Sequence, residues 1–411
     1  MVDRLDASLA YALSRRRLLV GAGLAGTGAA AAVVGGGLVD LRLPGGPGER
    51  ALTRAFPQKG EMILQRNRPP LLETPFEVFD QGVFTPNDRF YVRWHLAQVP
   101  TEIDVDAWRL KVRGNVAREL SLAVEDLIAM PRVEIAAVNQ CSGNSRGLFE
   151  PRVPGAQWAN GAMGNARWLG VRLKDLLAQA GVKAGSVAVR FGAADQPLTP
   201  DPDYFKSLEI DHALSDEVIV AYGMNGEQLP LLNGFPLRLI VPGWFSTYWV
   251  KMLDDIEVLT APDENYWMAK AYRVPSTPGA NVAPGAKDFP TQPISTMPPR
   301  SFVTNLADGA TVAAGAPLSV RGIAMGGDQG VATVDVSIDA GRNWRRATLG
   351  RDEGRYSFRR FEALFPPVPS GALTLMSRVT NSAGVAQPFR PNWNPGGYMR
   401  CVVERVAVTA A

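Results

Sequence analysis

Between Pro275 and Pro299 the chain is dense in proline and glycine, and hydrophobic patterning differs on its two sides. Proline lacks a backbone donor and fixes its φ, so such a stretch continues neither a helix nor a central strand. It divides the 411 residues into two units, each long enough to bury a core. After it, helical periodicity stops. Residues 318–324 and 334–339 alternate apolar and polar side chains, Ala340-Gly341-Arg342-Asn343 supplies a turn, and 356–365 and 373–380 read as further strands. Short strands at this spacing predict an all-β, immunoglobulin-like sandwich over 291–411. Cys401 reads as a small buried residue of its last strand.

Residues 76–290 mix periods. Runs at 133–138, 187–191, 218–222 and 237–241 read as strands. Leu173, Leu176, Leu177 and Ala180 fall at helical spacing, and Gly181 is a natural stop. Ser121 reads as the N-cap of a short helix that ends by Pro131. This is an α+β pattern without regular βαβ repetition. The Pro- and Arg-rich stretch 41–75 reads as an irregular linker or arm.

The first forty residues hold Ser14-Arg15-Arg16-Arg17-Leu18-Leu19 ahead of a Gly/Ala-rich apolar run. Adjacent arginines before such a run predict a twin-arginine export signal over 1–40 and a periplasmic destination. Two other readings compete. Gly21-Ala22-Gly23-Leu24-Ala25-Gly26 fits a dinucleotide fingerprint, but the arginines leave little room for the strand that must precede it. The run is long enough to span a membrane, yet its glycines make it a poor anchor.

Scarce ligands narrow the chemistry. The chain has two Cys and two His. A c-type haem attachment is absent, and a three-His zinc site cannot be built. A redox metal would therefore arrive inside an organic cofactor carrying most of its own ligands. The net charge of +3 is small, and no basic run with interleaved aromatics points to nucleic acid.

Cys141 stands in Asn139-Gln140-Cys141-Ser142-Gly143-Asn144-Ser145-Arg146, where a β-type run meets a Gly/Asn/Ser turn. A sulfur presented from a strand end is a nucleophile, a metal ligand or a buried structural Cys. Arg146 adds a cation able to hold an anion beside it.

This segment, with Glu150-Pro151-Arg152 and the run from Ala162 to Trp168, resembles the molybdenum-cofactor domain of the sulfite oxidase family. It is most similar to the bacterial periplasmic sulfite dehydrogenases (sulfite:cytochrome c oxidoreductases). The resemblance continues through Tyr91-Val92-Arg93-Trp94-His95, Tyr222-Gly223-Met224-Asn225-Gly226-Glu227, Gly234-Phe235-Pro236-Leu237-Arg238 and Trp393-Asn394-Pro395-Gly396-Gly397-Tyr398-Met399-Arg400. It covers most of the chain from about Phe76 to Val406.

The resemblance implies a molybdopterin-binding catalytic domain over 76–290 and a dimerisation role for 291–411. It makes Cys141 the one protein sulfur on molybdenum. Arg93, Arg146 and Tyr272 become the catalytic candidates, the arginines as holders of a sulfur oxyanion. Tyr91, Arg93, His95, Asp195, Asn233, Arg238, Trp249 and Lys251 fall at cofactor-binding positions, with Arg238 and Lys251 suited to a phosphate. Asn233 replaces a His of the animal enzymes, and Trp94 replaces an Asn. His212 has no such pattern and reads as structural.

The implied activity is oxidation of sulfite to sulfate by a molybdenum–molybdopterin cofactor. With no haem in this chain, electrons pass to a c-type cytochrome, either soluble or a permanent subunit, and a homodimer or a heterodimer with a cytochrome subunit is expected. A sulfane-sulfur dehydrogenase, a sulfoxide reductase of the same fold and a non-catalytic exported binding protein are the alternatives.

Overall fold

The computed structural model describes residues 37–198 and 202–411. The arginine-bearing segment read as an export signal lies outside them. Among the described residues, no helix is long and apolar enough to cross a membrane.

The arm expected to be irregular is instead a sheet. Leu38–Asp40, Glu49–Thr53, Met62–Arg66, Leu71–Glu73 and Val92–Arg93 pair in that order. Thus 38–40, assigned above to the signal segment, begin this sheet. The strands are only two to five residues long, too short to show a period among Pro and Arg. Their apolar members do the fixing: Met62 and Leu72 are fully buried. The last strand carries Arg93, so the arm builds one wall of the site described below.

Two larger sheets follow in the first unit, besides a two-stranded pairing of Arg273–Pro275 with Thr291–Pro293. In one, Lys206–Glu209, Ala188–Ala193, Leu253–Leu259, Leu110–Gly114 and Leu120–Leu122 lie side by side, with Leu253–Leu259 parallel to Leu110–Gly114. In the other, Ile219–Met224, Met163–Arg172 and Arg132–Gln140 are antiparallel neighbours, and Arg238–Ile240 pairs with Ile219–Met224. The helix Leu173–Ala180 buries Leu173, Leu176, Leu177 and Ala180, and ends at Gly181 with φ +72°. Ser121 does not cap the next helix. It lies in Leu120–Leu122, drawn there by pairing with Leu110–Gly114, and the helix Val124–Ile128 is capped by Asp126 accepting from Ala123 N.

The second unit is the expected sandwich. One sheet holds Arg300–Val303, Pro317–Met325, Arg359–Pro367 and Thr348–Leu349; the other holds Ala310–Val312, Arg405–Ala410, Gly371–Asn381, Val331–Ser337 and Arg345–Arg346. Val320, Val334, Val336, Leu375 and Val379 fill the space between. Cys401 is buried as expected, but it precedes the strand Arg405–Ala410 and bonds Pro299 O at 3.4 Å. Both cysteines are free. The units lock together where Val138 N meets Tyr356 O at 2.9 Å and Asn165 Nδ2 meets Ser357 Oγ at 2.8 Å.

Candidate active site

The strand Arg132–Gln140 delivers Cys141 to a tight loop. Cys141 N donates to Ala162 O, Asn144 N to Cys141 O and Arg146 N to Gly143 O. Ser145 takes a left-handed φ of +68°. Gly143 lets the Arg146 guanidinium pack against the loop, since a Cβ would sit 2.6 Å from it. The loop leaves Cys141 buried in the wall of a cavity of about 440 Å³, open mouth included.

Of the residues singled out in the sequence, Tyr91, Arg93, His95, Cys141, Asn233, Arg238, Trp249, Lys251 and Tyr272 line this cavity. They come from distant elements. Arg238 and Lys251 meet through a backbone bridge, and Lys251 Nζ reaches Arg93 O at 2.9 Å. Arg238 donates to Asn233 O at 2.8 Å and to Asn139 Oδ1 at 3.2 Å, and Tyr91 Oη donates to the same Asn139 oxygen at 2.6 Å. His95 stacks on Tyr204 with ring centroids 3.8 Å apart and bonds the Tyr272 hydroxyl. Tyr272 is held at φ +54°, a conformation that side chains rarely adopt.

Two candidates stand elsewhere. Arg146 is buried one layer back, its guanidinium 5.0 Å from the Tyr398 ring centroid and bonded to Gly396 O at 3.1 Å. Tyr398 in turn stacks on Tyr272. Asp195 is buried outside the lining. Burial raises its carboxyl to about 6, with Lys251 pulling the other way. The Asn233 amide is already engaged, donating to Tyr91 O and accepting from Lys59.

The sequence reading missed Tyr204, Leu232, Ser246 and Thr247 as lining residues, and gave Ser142, inside a quoted motif, no role. Asn139 and Tyr398 fell inside quoted motifs without a role. Tyr204 lies in no motif, and only its register beside Lys206–Glu209 brings it to His95.

The site is cationic. Burial lowers Lys251 to about 7, Arg238 adds to that push, and Asp195 opposes it. Burial lowers Arg238 to about 10. Burial, then Arg93, Lys251, Lys206 and Arg66, hold His95 well below its ordinary value. Among the described residues, Arg93, Arg238 and Lys251 form no ion pair within 4 Å with a carboxylate, and Arg93 Nη1, Arg238 Nε, Asn139 Nδ2 and Ser142 Oγ are buried without a hydrogen-bond partner. Charges and donors buried this way are costly unless an anionic, hydrogen-bonding group completes them. A phosphate-bearing heterocycle fits that donor set, with Cys141 beside it. Among the described residues, no three His, Cys, Asp or Glu side chains converge to hold a metal by themselves.

Residues 95–267 match the family described as oxidoreductase molybdopterin binding domain, and 291–411 match the Mo-co oxidoreductase dimerisation domain. The chain is 35% identical over 365 residues to mitochondrial sulfite oxidase of Homo sapiens, covering 84% of this chain and 65% of that one. It is 34% identical to sulfite oxidase of Gallus gallus, covering 84% of this chain and 77% of that one. The chain thus spans about two thirds of the human relative's length. Among solved structures, the sulfane dehydrogenase SoxCD of Paracoccus pantotrophus superposes with a TM-score of 0.71 at 25% identity, covering 83% of this chain and 84% of that one.

Proposed function

The chain belongs to the sulfite oxidase family, and within that family we propose that it oxidises sulfite to sulfate, passing the electrons to a c-type cytochrome. It takes the molybdenum cofactor. The observation that carries the reading is the set of buried cations without carboxylate partners around Cys141, a site built for anions.

Bound in the cavity, the cofactor supplies oxygen-atom transfer and a two-electron sink. Arg238 and Lys251 would take its phosphate, because both line the cavity and a phosphate beside Lys251 would favour its charged form. Cys141 would contribute the protein sulfur. Arg93 fits the oxyanion: it lines the cavity, has a free buried Nη1 and stays charged at working pH. Tyr272 presents a phenol that burial keeps protonated, so it donates and does not take a proton. Arg146 acts through Tyr398 and by its charge, as a positioning residue.

Overall, sulfite and water give sulfate, two protons and two electrons. The electrons leave one at a time, which calls for a one-electron acceptor such as a cytochrome. We place the enzyme in the periplasm on the strength of the Ser14–Leu19 pattern, and read 291–411 as the surface for a second copy.

The likeness to a sulfane dehydrogenase supports a second reading, in which the substrate is protein-bound sulfane sulfur. Steady-state cytochrome reduction with sulfite and with a persulfide-bearing carrier protein, run side by side, separates the two. A kcat/KM for sulfite well above that for the carrier supports the first; the reverse order replaces it.

A further inference from the structure

Next to the lining residue Asn233 sits a buried lysine that no motif marks. Lys59 lies between the strands Glu49–Thr53 and Met62–Arg66, in the arm preceding the matched domain. It is 8% exposed. Its three protons go to three acceptors: Asn87 O at 2.8 Å, Phe90 O at 2.9 Å and Asn233 Oδ1 at 2.5 Å. Phe90 directly precedes the lining residue Tyr91. Asn233 lines the cavity, donates to Tyr91 O at 3.1 Å and accepts from Arg238 through its carbonyl at 2.8 Å. One side chain thus ties the 87–90 turn, Asn233 and, through Asn233, the Arg238 guanidinium.

Among the described residues this nitrogen donates to neutral oxygens alone, while Asp88 acts on it only through its field. An ammonium so held is expensive to bury, and a packed apolar side chain would fill the space at lower cost. What it adds, in its protonated form, is direction, since three donors on one nitrogen fix three groups at once.

We propose that Lys59 is a positioning residue for the molybdenum cofactor, acting through Asn233 and the 87–90 turn without touching the group. The arm is then part of the binding site. The proposal rests on the cavity being the cofactor site.

The test uses the cofactor-loaded full chain and follows release of the fluorescent pterin below each variant's own melting temperature, with molybdenum per chain measured at the start. Lys59→Met should release cofactor roughly 10- to 100-fold faster than wild type, the loss of a charge-assisted hydrogen bond. Asn233→Ala should do the same, and the double variant should fall clearly short of the sum of the singles, because both remove the Lys59–Asn233 contact although each also loses a contact of its own. Lys59→Arg should recover part of the loss. Leu375→Ala, in the core of the second unit, lowers stability without touching the contact and should release at the wild-type rate. If Lys59→Met does not accumulate, Lys59→Gln, which keeps two donors, is measured in its place against the same expectations. Wild-type release from the Lys59 variants, or full additivity with Asn233→Ala, overturns the proposal. A wild-type chain that carries no cofactor overturns the reading of the cavity itself.

Discussion

His95 Nε2 and the Tyr272 hydroxyl share a hydrogen bond across the cavity, between residues 177 positions apart in the chain. Burial and four nearby cations keep the imidazole neutral, and burial keeps the phenol protonated. Neither group therefore changes charge near neutral pH. Replacing Tyr272 by Phe should lower kcat/KM for sulfite by roughly 10- to 100-fold, by removing a hydroxyl that lines the cavity and bonds His95. The shape of the pH–rate profile should stay as it is. A profile that loses a limb in Tyr272→Phe would assign the titration to this pair and contradict the account.

The two arginines should separate kinetically. Arg93 lines the cavity, whereas Arg146 lies behind Tyr398. Arg93→Gln should raise KM for sulfite by roughly 10-fold or more, through lost charge-assisted contact. Arg146→Gln should lower kcat and raise KM less, as Tyr398 and Tyr272 lose their support. Equal KM effects from both would put Arg146 in contact with substrate.

Stability of the cofactor-free chain should pass through a minimum near pH 7. Lys59, Lys206 and Lys251 fall from an ordinary 10.5 to about 7 on burial. Between pH 7 and 10.5 the unfolded chain then binds more protons, so stability rises with pH. Glu73 runs the other way: burial raises it from 4.5 to about 7, so the folded chain binds more protons between those values and stability falls as pH rises. Melting temperatures from pH 5 to 10 test this, and Lys251→Met should flatten the alkaline rise. A steady fall across the range would contradict it.

The sandwich was legible because alternation with period two survives in strands such as Pro317–Met325 and Val331–Ser337. The helix Leu173–Ala180 was legible because its apolar stripe and its Gly181 stop coincide. The arm was not, since strands like Leu38–Asp40 and Leu71–Glu73 are held by their neighbours in the sheet and carry no period of their own. The site divided in the same way. Residues inside motifs that resemble the family's, such as Cys141 and Arg238, could be named. Tyr204 and Lys59 could not, because nothing local sets them apart and only the pairing of distant segments brings them to His95 and Asn233. Arg146 shows the converse: its motif was visible, but its distance from the cavity depends on Tyr398, in a segment 250 residues away from it.

Cys141 anchors the account. The most direct test is sulfite-dependent reduction of cytochrome c by the purified full chain, with molybdenum quantified in the same sample and Cys141→Ser measured alongside. The account predicts about one molybdenum per chain and sulfite oxidation in wild type, as a single thiolate-held cofactor requires. It predicts a folded Cys141→Ser with sulfite activity lost. Normal sulfite oxidation by Cys141→Ser, or a well-folded wild type prepared with the cofactor available that holds no molybdenum, would contradict it.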